Sequence, residues 1–178
     1  RMNLNHNVRK RSNMEPSLER LKEILKYDPV TGKVCTLKGR ALTADQNGLV
    51  IVFDNQAKKP STKYKLERVA YFLAHDFFPR EDQKVLHKNL DTQDNRAKNL
   101  LLVSRSVFRQ IKEAERNLEG AIKIIAHPVD MFSYILLWFD KGVERSRIFG
   151  DIGVARRYQV KLQLKYSKIL TKYCMFDS

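Results

Sequence analysis

Between Lys84 and Phe108 the chain reads KVLHKNLDTQDNRAKNLLLVSRSVF. His87, Asp94, Asn95 and Asn99 are the residues there whose types and spacing could do chemistry. A histidine titrates near neutrality, so it can take a proton from water as a general base. Cutting a phosphodiester in this way also calls for a divalent ion to stabilise the charge on the phosphate and its leaving oxygen. Such an ion needs oxygen or imidazole donors close to the histidine. Leu86 beside it and Phe108 on the helix expected next have hydrocarbon side chains that offer neither. Asp91 is a nearby carboxylate that could stand in for one ligand but not for two. The expectation is therefore a site without a metal or other cofactor; a divalent ion belongs only to the alternative in which the motif still cuts. His87 alone reads as a hydrogen-bonding or phosphate-contacting residue, and Asn95 and Asn99 as amides that hold the loop.

The elements that must position this loop follow from periodicity. Glu15-Pro16-Ser17 opens a short helix with Leu18, Leu21, Ile24 and Leu25 at helical spacing. Asp28-Pro29-Val30-Thr31-Gly32 signals a turn, with strands expected at Lys33 to Leu37 and Leu49 to Asp54 and another turn at Asn55 to Pro60. Lys63 to His75 predicts a helix with Leu66, Val69, Ala70 and Leu73 on one face, and Ser104 to Arg116 another. From Asn117 on, strands are expected at Ala121 to His127, Met131 to Phe139 and Val143 to Phe149, then a long helix from Ile152 to Tyr173.

Over 178 residues, 34 Lys and Arg face 20 Asp and Glu, a formal charge of +14, with 43% hydrophobic residues. That composition indicates a folded chain with an affinity for polyanions, since neutralising phosphates releases condensed counterions. Two cysteines, Cys35 and Cys174, exclude a disulfide framework or a four-cysteine zinc site. No apolar run approaches the roughly 18 residues of a membrane span, and the start lacks a signal-peptide core. A cytoplasmic location without membrane association is expected by elimination. Residues Arg1 to Met14 carry Arg9, Lys10 and Arg11 and no acid, which predicts a flexible basic arm able to track phosphates.

The blocks LKYDPVTGKV, YKLERVAYFLAHDFFP and VLHKNLDTQDNRAKNLLLVSR resemble the HNH homing-endonuclease family of bacteriophages, over about Leu18 to Arg116. The resemblance implies a ββα-metal fold over residues 15–116, with His87 at the general-base position and Asn95 and Asn99 at the structural asparagines. It also marks the departures. Leu86 replaces the metal-binding aspartate, Phe108 the helix ligand, Leu90 the turn glycine, and Glu67 the histidine that usually precedes Arg68. Arg68, Arg96, Lys98, Arg105 and Arg109 would line the groove where a homologue docks its duplex. If the chain is phage-encoded, its compartment is the host cytoplasm.

Residues 117–178, three strands closing with GDIGVARRYQVKLQLKYSK, resemble the APETALA-two type of DNA-binding domain, with Ala155 and Tyr158 at its short helix motif. That resemblance implies a three-stranded antiparallel sheet packed on one long helix, the whole chain being of the α+β class. Along the second strand Phe132, Tyr134, Leu136 and Trp138 form one face, and Ser133, Ile135, Leu137 and Phe139 the other. The face turned away from the helix is thus largely aliphatic, which suits a protein contact better than base readout. Lys123, Arg145 and Arg147 are candidates for phosphate contacts. On the helix, Tyr158, Leu162, Tyr166, Ile169 and Tyr173 form a core stripe, and Arg157, Lys161, Lys165, Lys168 and Lys172 a basic ridge beside it. The function expected is a non-catalytic DNA-binding protein, an accessory to transcription or replication. An active HNH nicking enzyme and a factor that recruits a polymerase or another phage or host protein are the alternatives.

Overall fold

The computed structural model describes residues 18–52 and 62–174. The expected basic arm with Arg9, Lys10 and Arg11, and the expected turn at Asn55 to Pro60, lie outside these residues. Helix α1 (Leu18–Ile24) passes directly into β1 (Leu25–Tyr27), which pairs antiparallel with β2 (Val34–Thr36). The helix ends one residue before the expected Leu25, because Leu25 is buried in the register Leu25↔Thr36. The turn between these strands is built by Asp28, whose carboxylate accepts from Val30 N at 2.9 Å and the Thr31 hydroxyl at 2.7 Å. Next, β3 (Leu49–Val52) pairs with β4 (Thr62–Lys65), and α2 (Leu66–His75) follows at once. The expected helix from Lys63 therefore starts late: its first residues are taken by a ladder partner distant in sequence.

The centre of the fold is the antiparallel hairpin of β5 (Gln83–His87) and β6 (Leu100–Ser104), followed directly by α3 (Arg105–Arg116). Ser104 caps that helix, its hydroxyl accepting from Val107 N at 3.2 Å. Strand alternation sends successive side chains to opposite faces, and both faces of this hairpin are covered. Val85 and Leu100 join the apolar cluster of α1, α2 and β1 to β4. Leu86 and Val103 point the other way, into a cluster with Ile111 and Ala114 of α3. That second cluster continues without a break through Ile122, Leu136, Phe149, Ala155, Leu162, Tyr166 and Leu170. The apolar interior thus divides at the β5–β6 hairpin, while the expected boundary at Asn117 runs through a shared core.

A π-type turn at Asn117–Ala121 leads into the sheet β7 (Lys123–Ala126), β8 (Tyr134–Asp140) and β9 (Val143–Phe149), in that order and antiparallel throughout. Asn117 is buried and clamps β8: its amide accepts from Phe139 N and donates to Phe139 O, both at 2.9 Å. Lys141 and Gly142, at φ 54° and 77°, make the tight hairpin turn that Asp-Lys-Gly announces. Residues 131–133, expected in the second strand, lie in a turn instead. Asp130 accepts from Phe132 N at 3.0 Å and from the Ser133 hydroxyl, and these local bonds replace the ladder. Helix α4 (Ile152–Tyr173), capped by Asp151 through Val154 N at 2.8 Å, packs across the sheet. Among the described residues the chain is mixed α+β, with four α-helices and small antiparallel sheets. Among the described residues, no helix is long and apolar enough to cross a membrane.

Candidate functional site

The loop between β5 and β6 is tied by amides. Asn99 Oδ1 accepts from Asn89 N at 3.0 Å, while its Nδ2 donates to Asn89 Oδ1 at 2.9 Å and to Asp94 O at 2.7 Å. Its backbone carbonyl accepts from Lys88 N at 2.8 Å. Arg96 donates to both oxygens of Asp94, from Nε at 2.7 Å to Oδ1 and from the guanidinium terminus to Oδ2. This pairing, with the Asn89 amide, holds the Asp94 carboxyl down at about 2. The turn between β1 and β2 braces the loop from outside. Tyr27 Oη donates to Asn95 O at 2.8 Å, and Ala97 N donates to Pro29 O at 3.2 Å. Gly32, at φ 75°, lies so close that a Cβ would sit 2.5 Å from Arg96 N. Burial, then the charges of Asp28 and Asp94, push the Tyr27 phenol up to about 12.

His87 is buried, and its Nε2 lies 3.1 Å from Asn95 Oδ1. Asn95 Nδ2 faces Gln93 O at 3.5 Å, an arrangement that points the amide oxygen at the imidazole. The Asn95 oxygen can accept from a proton on Nε2, so this contact fixes the orientation of the ring through a loop that is itself well tied.

Its surroundings mix hydrocarbon and polar side chains. Beside His87 is a cleft of about 380 Å³ whose apolar lining includes Val85, Leu86, Leu90 and Phe108. Leu86 is 2% exposed, and Phe108 packs against the same apolar cluster. Leu90 holds φ 63°, a left-handed conformation that costs an ordinary L residue about 1–2 kcal/mol. Its polar lining includes Asp45 and Asn47 ahead of β3, Lys65 at the end of β4 and Glu67 in the first turn of α2. Asp45 is engaged in its own loop, accepting from Asn47 N at 2.8 Å and Leu49 N at 2.9 Å. Among the described residues, no three His, Cys, Asp or Glu side chains come together as a metal-binding group.

The cations expected to meet nucleic acid are distributed over several surfaces. Lys98, Arg105 and Arg109 are exposed at the end of the loop and the start of α3. Arg96 serves Asp94, and Arg68 is turned inward, donating to Pro79 O and stacking 5.1 Å from the Phe78 ring. Lys123 is exposed on the face of the sheet turned away from α4, opposite Leu137. Arg145 and Arg147 pair with Trp138 and Leu136, which places them on the other, helix-facing side. Arg147 lies 5.0 Å from the Tyr158 ring there. Arg157, Lys161, Lys165, Lys168 and Lys172 are all exposed along α4, with Lys165 bonded to Asp140 at 3.3 Å.

Sequence reasoning missed Asn89, Tyr27 and the polar lining formed by Asp45, Asn47 and Lys65. Nothing in local spacing relates residues 45–67 to His87, since the β3–β4 pairing and the packing of α2 bring them together. The signal for Tyr27 and Gly32 was half present, because Asp28 to Gly32 was legible as a turn although its load was not. Comparison with protein families, with curated proteins and with solved structures finds no match to this chain.

Proposed function

We propose that the chain is a DNA-binding protein that does not cut, built on a scaffold of the phage HNH endonuclease type and serving transcription or replication as an accessory. The observation that carries this reading is the hydrocarbon wall beside His87. The two positions that the resemblance assigns to metal ligands are Leu86 and Phe108, and both pack into one apolar cluster. Two further features support it. Leu90 keeps the left-handed backbone at the position where the family has a turn glycine, and Asn95 and Asn99 tie the loop as structural asparagines would. The charge of +14 supplies the affinity, and Lys98, Arg105, Arg109 and the α4 ridge are its exposed carriers. In this reading the ligand is DNA, and residues 15–116 and 117–178 both contribute cations.

Supercoiled plasmid incubated with magnesium or manganese tests the claim, with His87→Ala as control. No His87-dependent nicking is expected, together with binding that survives chelation of divalent ions. Nicking that vanishes in His87→Ala would reinstate the active-nuclease alternative.

One observation favours a second reading, recruitment of a polymerase or another protein. The sheet face away from α4 exposes Ile125 and Ile148, and the adjoining turn exposes Val129 and Met131 at 86% and Phe132 at 80%. Apolar surface of this kind is a common mark of protein contacts. A nuclease-treated pull-down in which Phe132→Ser loses a partner that wild type retains would promote this reading over simple DNA binding.

A further inference from the structure

We infer that the cleft beside His87 is a pocket for one unpaired base of a bound strand, selective for bases that carry an exocyclic amine. The inference rests on the nucleic-acid reading above and goes beyond it by assigning the ligand of this cleft. Its basis is a contrast of charge. The chain as a whole carries 34 cationic side chains against 20 acidic ones, yet the cleft is lined by two lysines, Lys65 and Lys112, and two carboxylates, Asp45 and Glu67. Both lysines are already engaged, Lys65 with Asn47 O and Lys112 with Glu115 at 2.6 Å. A balanced cleft in a strongly basic protein suits a neutral heteroaromatic group better than a phosphate.

The walls match such a group. Leu86, Leu90 and Phe108 offer apolar and aromatic surface for a ring to lie against, and stacking on aromatic side chains is how proteins hold unpaired bases. Within the same lining, Asn47, Gln93 and Glu67 offer hydrogen-bonding groups for a base edge. The Glu67 carboxylate has no hydrogen-bond or ion-pair partner among the described residues. It can only accept, so it can bond the exocyclic amine of cytosine, adenine or guanine, and it repels the carbonyl that thymine or uracil presents where cytosine has its amine. The volume of about 380 Å³ lies within the usual range for small-ligand sites.

The test compares three duplexes at one salt concentration: fully paired, with a single bulged cytosine, and with a single bulged thymine. Wild type is expected to bind the cytosine bulge about tenfold tighter than the paired duplex, from the energy of one stacked base. The thymine bulge should gain less. Glu67→Gln, at a half-buried position outside the apolar clusters, should abolish the preference for cytosine over thymine, because an amide can donate as well as accept. Phe108→Ala should weaken both bulges while leaving the paired duplex unchanged, with thermal unfolding as the check that it folds. Equal binding of all three duplexes overturns the base pocket but leaves DNA binding intact. A cytosine preference untouched by Glu67→Gln overturns it as well, and no binding to any duplex removes the pocket and the parent reading together.

Discussion

At the scale of single residues, the loop that carries His87 depends on Asp94 remaining ionised. Its carboxylate is nearly buried, 10% exposed, and bonded by Arg96 on both oxygens and by Asn89 Nδ2 at 2.8 Å. The folded value of about 2 lies below the roughly 3.9 of an unfolded aspartate. Between those values the unfolded chain binds more protons than the folded one, so acid destabilises the fold. The contribution is fully present above about pH 4 and is lost as pH falls through about 2, and solvent screening limits it to about 1–2 kcal/mol. Chemical denaturation at pH 3 and pH 6 should show this slope in wild type, and Asp94→Asn should flatten it. An Asp94→Asn protein with the same acid sensitivity as wild type would place the acid-labile pair elsewhere. Loosening this loop also loosens Asn95, and with it the hydrogen bond that orients the imidazole.

At the scale of elements, the β5–β6 hairpin puts neighbouring residues into different surroundings. Its His87 face looks toward the N-terminal cluster and its Leu86 face toward α3, so position 86 is a core position shared with the C-terminal sheet and helix. Leu86→Asp is therefore expected to cost about 3 kcal/mol or more in stability, the penalty of a carboxylate in an apolar interior. A urea melt measures it, and a loss below about 1 kcal/mol would mean that the position is not core. Some of this architecture was legible from the chain. The 3.6-residue stripe Tyr158, Leu162, Tyr166 placed α4, and Asp140-Lys141-Gly142 placed the β8–β9 turn, because both signals are local. The helical stripe through Leu66 and Val69 was legible too, but Lys63 to Lys65 reads as the same helix until β3 pairs with it. The inward turn of Arg68, the clamp made by Asn117 and the polar lining beside His87 were not legible, since each depends on a partner far along the chain. Arg145 and Arg147 alternate with Ser146 in sequence, but which face they take is fixed only by their register against β8.

At the scale of the whole molecule, the distribution of charge decides which cations matter to a polyanion. Along α4 from Arg157 to Lys172 the exposed ridge spans about 22 Å at 1.5 Å per residue, the length of about six base pairs. No acid interrupts the helix, and like charges at this spacing repel one another until an anion neutralises them. The members of the ridge are not equivalent. Lys165 already faces Asp140, whereas Lys161 and Lys168 have no acidic partner among the described residues. Each phosphate contact that is lost should lower the slope of log affinity against log salt by about one. Lys161→Gln with Lys168→Gln is therefore expected to reduce that slope by about two and to weaken binding uniformly across DNA sequences. Lys165→Gln, which mainly releases Asp140, should reduce it by less. Fluorescence anisotropy of a labelled duplex from 50 to 200 mM salt measures all three slopes. If the double variant keeps the wild-type slope, the ridge does not touch phosphate, and the binding lies with other cations, the exposed Lys98, Arg105 and Arg109 beside the loop being the next to test.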